Sequence, residues 1–152
     1  MRCGRCRKFL VHMTMFATTR GSAESDVVAP DGSDVRILLA LGRGSMATFE
    51  LAVGQTSVAV RHRNVEEIWF VTDGEGEMWR RADDGLAEVV RLSKGVCLTI
   101  PCGTAFQFRT IGARPLCIVG VTMPPWPGDD EAIRSDGPWH ATIEPGPGLA
   151  ER

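Results

Sequence analysis

Apolar and polar residues alternate in short runs along most of this chain, and the runs are cut by Gly, Pro and Asp. "SMATFELAVG" (45–54) shows the period most plainly. Met46, Thr48 and Glu50 fall on one face of an extended chain, and Ala47, Phe49 and Leu51 on the other. Similar runs are "DVRILLALG" (34–42) after a Pro-Asp-Gly-Ser turn, "TSVAVRHR" (56–63), "EEIWFVTDG" (66–74) and "GEMWRRA" (76–82). "EVVRLSKG" (88–95), "VCLTIP" (96–101), "AFQFRTIG" (105–112) and "PLCIVGVTM" (115–123) continue the series. Short strands repeating at roughly 8–12 residues, with a turn signal after each, predict an all-β sandwich or barrel. No long amphipathic helix and no internal repeat interrupts them.

After Met123 the composition shifts to "PPWPGDDEAIRSDGPWHATIEPGPGLAER". Asp129 and Asp130 suit a helix N-terminus, so "GDDEAIRS" (128–135) is expected to make one or two helical turns. The rest of the tail is expected to wrap the barrel or fray, with Trp126 and Trp139 docked on it. The predicted division is a flexible or strand-exchanging segment over 1–30, a barrel over 31–124 and a Pro/Gly-rich tail over 125–152.

Composition narrows the class. Apolar residues make up 43% and charged residues 24%, as in an ordinary globular chain. A net charge of -2 and scattered arginines give no basis for nucleic-acid binding. No apolar run approaches membrane-spanning length, and the apolar part of "MRCGRCRKFLVHM" is too short for a secretory signal, so a cytoplasmic protein is expected. Among the cysteines, Cys97 and Cys117 read as small core residues, and Cys3 and Cys6 form a CxxC with no second pair to complete a zinc site.

Candidate chemistry gathers in "VAVRHRNVEEIWFVTDGEGEMW" (58–79), where His62 and Glu67 stand on successive strands before a glycine turn. Gly54, Val60, His62, Glu67 and Gly74 fall on the spacing G-x5-H-x-H-x4-E-x6-G, with Val60 in place of the first histidine. Gly95, Pro101 and Gly103 fall on the spacing G-x5-P-x-G-x2-H-x3-N, with Phe106 at the histidine position and Thr110 at the asparagine position. On these residues the chain resembles the cupin superfamily over about 34–123. The resemblance implies a double-stranded β-helix, or jelly-roll, barrel with irregular N- and C-terminal extensions, pairing as a homodimer.

The resemblance also implies a metal shell of three histidines and a carboxylate, suited to iron, manganese, nickel or zinc. Only His62 and Glu67 remain of it, so the expected cofactor is none, or a weakly bound divalent transition metal on those two. Glu66 and Gln107 have the wrong parity to replace the missing donors unless a bulge shifts the register. Cys102 lies in a turn, and His12 and His140 lie in the tails.

Function then rests on a small organic ligand in the barrel. His62 and Glu67 are the candidate acid/base pair, with the carboxylate favouring a charged imidazolium. The same two are also readable as a hydrogen-bonded structural pair. Metal-free relatives resembling sugar-nucleotide epimerases use a His–Asp pair in this way. Trp69 shares the parity of Glu67 and is a candidate cavity wall, Val60 and Phe106 an apolar floor, and Gln107 a further ligand contact. Arg61 and Arg63 should face away from the cavity, and either Arg80 or Arg81 is placed to meet an anionic ligand at the mouth. The expected activities are isomerase, cyclase or lyase chemistry. The alternatives are a non-enzymatic sensor or binding module, and a metal-dependent oxygenase or isomerase with an atypical ligand set.

Overall fold

The computed structural model describes residues 16–152. Cys3, Cys6 and His12 lie outside the described residues. The strands are β1 (Val27–Val28), β2 (Asp34–Leu41), β3 (Gly44–Leu51), β4 (Val60–His62), β5 (Glu66–Asp73) and β6 (Glu75–Arg81). They continue with β7 (Ala87–Ser93), β8 (Cys97–Ile100), β9 (Ala105–Thr110), β10 (Leu116–Met123) and β11 (Ala132–Arg134). The predicted all-β class is the observed one. Two sheets of antiparallel pairs face each other, a six-stranded sheet in the order β1-β2-β3-β10-β5-β8 and a five-stranded sheet in the order β11-β4-β9-β6-β7. Among the described residues, no helix is long and apolar enough to cross a membrane.

The alternation read from the sequence sets which side chains enter the space between the sheets. On β5, Glu67, Trp69 and Val71 point inward, and Glu66, Ile68 and Phe70 outward. On β10, Leu116, Ile118, Gly120 and Thr122 are the buried set. Gly120 is needed for packing: a Cβ there would stand 2.4 Å from the Phe49 ring, which stacks on Trp69 with centroids 5.4 Å apart. The motif glycines Gly54, Gly74, Gly95 and Gly103 all take positive φ, a conformation only glycine adopts without strain. Their spacing therefore marks the turns that bring the strands into register.

The same period corrects the expectation for two cysteines. Leu98 and Ile100 take the inward positions of β8, leaving Cys97 exposed. Leu116 and Ile118 do so on β10, and Cys117 is only half-buried on the outer face, opposite Glu50.

The tail does not form the expected helical turn. Residues 132–134 are instead a strand, with Ala132 opposite His62 and Arg134 opposite Val60. The buried Glu131 carboxylate holds the segment extended. Its Oε1 accepts hydrogen bonds of 2.7 Å from both Asn64 N and Val65 N, and its Oε2 one of 3.0 Å from Asn64 Nδ2. Beyond β11, the tail is pinned across β9 by Gln107. The Gln107 Nε2 donates to Ser57 O and Trp139 O at 2.8 and 2.9 Å, and its Oε1 accepts from Trp139 N at 3.1 Å. This cover explains why β9 is buried on both faces. At the other end of the chain, β1 pairs with β2, so the two termini contribute strands to opposite sheets.

Replacing Glu131 with Ala strands two backbone donors at the β4–β5 turn. The expected loss is about 2 kcal/mol of stability, read from urea denaturation midpoints, because each buried donor left unpaired costs roughly 1–3 kcal/mol.

Candidate functional site

Between the sheets, near the β4 and β10 ends, lies a cavity of about 430 Å³. Its walls are largely apolar, with Phe49, Val60, Trp69 and Trp126 prominent, and its buried polar groups include Asp31, His62 and Glu67. The register explains the gathering. His62 is on β4 of the five-stranded sheet and Glu67 on β5 of the six-stranded sheet, and both point inward. His62 Nδ1 lies 3.2 Å from Glu67 Oε1. The alignment is too poor for a hydrogen bond, and Nδ1 is left as a buried atom without a partner. The other carboxylate oxygen, Glu67 Oε2, accepts from the Trp69 indole N–H.

Burial decides the charge of this pair. His62 and Glu67 are only 5% and 3% exposed. Desolvation pushes the imidazole down from its ordinary value of 6.5 to about 4, against an opposing pull from Glu131. Desolvation pushes the Glu67 carboxyl up from 4.5 to about 8; the Trp69 N–H works against the rise and the Asp31 charge adds to it. At neutral pH the pair is therefore a neutral imidazole beside a protonated carboxyl, which corrects the expected imidazolium. The mutual attraction of two opposite charges does not repay their removal from water here.

Of the other expected residues, Trp69 and Val60 line the cavity. Phe106 stands one layer behind, edge-on to His62 at 5.3 Å and to Trp69 at 5.7 Å. Gln107 is directed to the opposite face of β9 and spends its amide on Ser57 and Trp139, so it does not line the cavity. No bulge shifts it inward. Arg61 and Arg63 face away, as expected, into an outer-surface cleft of about 670 Å³ that also takes in Arg81, Arg134 and Arg152. That cleft is the larger of the two, yet it contains neither His62 nor Glu67. Arg80 turns instead to Thr99 O and Glu88. Neither Arg80 nor Arg81 borders the cavity. Cys102 and His140 are exposed and outside it.

Two cavity residues escaped the sequence. Asp31 sits in the turn before β2, where its Oδ1 accepts from Ser33 N and Ser33 Oγ at 2.8 and 2.6 Å. Burial raises its carboxyl, with these bonds opposing. The turn was legible, but nothing in "PDGS" reveals that the turn folds over a cavity. Trp126 was expected to dock; it does so edge-on to His62 at 5.1 Å, with its backbone N–H donating to Ser45 Oγ.

Residues 47–122 match the family described as the cupin domain. MJ1618, an uncharacterized protein of Methanocaldococcus jannaschii, is 31% identical over 111 residues, or 70% of this chain and 85% of that protein. The chain belongs to the cupin family. Among solved cupin structures, oxalate decarboxylase of Bacillus subtilis superposes with a TM-score of 0.60 at 18% identity, over 67% of this chain and 29% of that one. This cupin thus spans under a third of that protein's length. KdgF from a Halomonas species superposes with a TM-score of 0.54 at 17% identity, over 61% of this chain and 81% of that one. At these identities the likeness is one of fold.

The Bacillus subtilis enzyme has Mn(II) centers. In this cupin the donors do not fit such an ion. Val60 and Phe106 are direct cross-strand partners, so two of the positions at which the family motif carries histidines hold a buried apolar pair. Glu67 Oε2 is capped by the Trp69 N–H, and Asp31 Oδ1 is committed to Ser33. Among the described residues no group of three or more His, Cys, Asp or Glu side chains could hold a metal. After equilibration with Mn(II) or Zn(II) and desalting, the protein is expected to retain fewer than about 0.1 ions per chain by elemental analysis. Close to one equivalent would show that donors beyond the described residues complete the shell.

The shifted pair also predicts a pH profile of stability. Between 4.5 and about 8 the unfolded chain has given up the Glu67 proton that the folded chain keeps, so stability falls as pH rises through that window. His62 acts in the opposite sense, adding stability as pH rises from about 4 to 6.5. The slopes oppose each other until 6.5; above it His62 no longer contributes, and the raised Asp31 carboxyl acts in the same sense as Glu67. Denaturation curves should show a loss on the order of 2 kcal/mol between pH 6.5 and 8, most of it removed in Glu67→Gln.

Proposed function

We propose that this cupin binds a small, largely apolar organic molecule between its sheets and performs proton transfer on it through His62 and Glu67. One observation carries the proposal: a buried imidazole with an unpartnered Nδ1 stands 3.2 Å from a buried carboxyl inside a cavity of about 430 Å³, where burial favours the neutral form of each. That volume lies within the usual 300–1,000 Å³ of small-molecule sites. A neutral imidazole accepts a proton, and a neutral carboxyl donates one. The apolar walls keep water from competing, and Trp69 holds the Glu67 carboxyl in place through its indole N–H. Isomerisation, cyclisation and elimination need these two roles and no redox partner.

The test uses 5-nitrobenzisoxazole, a flat apolar molecule whose ring opens when a base removes its C3 proton. That electron pair forms the nitrile as the N–O bond breaks, releasing a coloured phenolate. Wild-type protein is expected to accelerate the opening over buffer, and His62→Ala to lose roughly a hundredfold of that acceleration, the usual weight of a positioned base. Binding is read separately from the fluorescence of Trp69 and Trp126 during titration with 2-phenylethanol. Saturable binding with no ring opening would make the protein a binding module and not an enzyme. No saturable binding would overturn the small-molecule site itself.

A further inference from the structure

We infer that the molecule this cavity is built for carries an organic ammonium group. The inference rests on the small-molecule site proposed above and specifies the chemical class of its ligand.

Three carboxyl groups border the cavity from separate parts of the chain: Asp31 before β2, Glu67 on β5, and Asp129 at the mouth, after β10. Asp31 and Glu67 are buried, and Asp129 is exposed. Among the described residues that line the cavity there is no lysine and no arginine. Arg61 on β4, Arg63 just after it and Arg81 on β6 open onto the outer cleft instead, and Arg80 turns to Thr99 O and Glu88. A buried carboxyl ionises when a cation pairs with it and otherwise keeps its proton, because an unpaired buried charge is strongly unfavourable. Here the protein supplies no partner from within the cavity.

An independent observation points to a ligand as well. His62 Nδ1, in a side chain only 5% exposed, has no hydrogen-bond partner although it lies 3.2 Å from Glu67 Oε1. A primary ammonium brings three N–H donors and one positive charge. A cation beside a buried carboxyl favours its ionised form, so an ammonium there would favour loss of the proton from Glu67 and find acceptors in Glu67 Oε1, His62 Nδ1 and the Asp31 carboxyl. The surrounding walls are Phe49, Trp69 and Trp126, and aromatic faces attract ammonium ions by about 0.5–2 kcal/mol. An anionic ligand would meet three carboxyl groups with no compensating cation, and a neutral ligand would bring no charge to favour their ionised forms.

Three probes of one shape and different charge test the inference: phenethylammonium, 2-phenylethanol and phenylacetate, each titrated against full-length protein at pH 7.5 by tryptophan fluorescence and calorimetry. Phenethylammonium is expected to bind roughly tenfold or more tightly than 2-phenylethanol, with phenylacetate the weakest. Glu67→Gln keeps an acceptor for the Trp69 N–H and should bring the ammonium-to-alcohol ratio toward one. Asp31→Asn, which retains the acceptor of its turn, provides a second variant should Glu67→Gln fail to fold. Equal affinity for the ammonium and the alcohol, tightest binding of phenylacetate, or a ratio unchanged in folded variants would overturn the inference and leave the small-molecule site standing. Silence from all three probes would overturn both.

Discussion

The carboxyl of Glu67 is buried between two sheets with no cation beside it, and the character of the site follows from that placement. Water that would stabilise its charge is excluded by Trp69, Val60 and Phe106, so the proton stays on the acid at neutral pH. Its neighbour His62 is subject to the same exclusion and stays neutral. A pair that would be an ion pair at the surface is thereby a donor and an acceptor. The Trp69 N–H fixes one carboxylate oxygen and leaves the other turned to the imidazole.

That environment depends on packing at several removes. The absence of a side chain at Gly120 lets Phe49 lie over Trp69, and the stack forms one wall. Val60 and Phe106, paired across β4 and β9, put hydrocarbon where the family motif would place imidazoles. The tail closes the other side. Glu131 caps the β4–β5 turn beside the site, β11 extends the sheet next to β4, and Gln107 anchors Trp139 over β9. The segment between β10 and β11 then brings Trp126 against His62. Residues 125–152 are thus part of what shapes the cavity, although little in their composition suggests a strand.

Much of the architecture was legible because it depends on local chemistry. Period-two alternation assigned the inward faces of β5 and β10, and the positive-φ glycines announced their turns. Inward parity also placed His62, Glu67 and Trp69 in one space. The misassignments have a common origin in tertiary context. Cys97 and Cys117 sit in apolar runs, but their neighbours hold the inward positions. "GDDEAIRS" has local helix signals, and the hydrogen bonds of Glu131 and the open edge of β4 override them. Gln107 has the outward parity the sequence assigned it, and only the folded tail gives its amide partners.

The sequence by itself determined the all-β strand pattern and, through the motifs that resemble the cupin family, the jelly-roll expectation and the replacement of two motif histidines by Val60 and Phe106, because spacing, parity and residue type act along the strand and need no distant partner. Only the tertiary structure decided the charge state of the His62–Glu67 pair, the entry of Asp31 and Trp126 into the cavity, and the placement of Arg80 and Arg81 outside it. Those outcomes depend on desolvation and on contacts between segments far apart in the chain, and neither is a property of any local stretch.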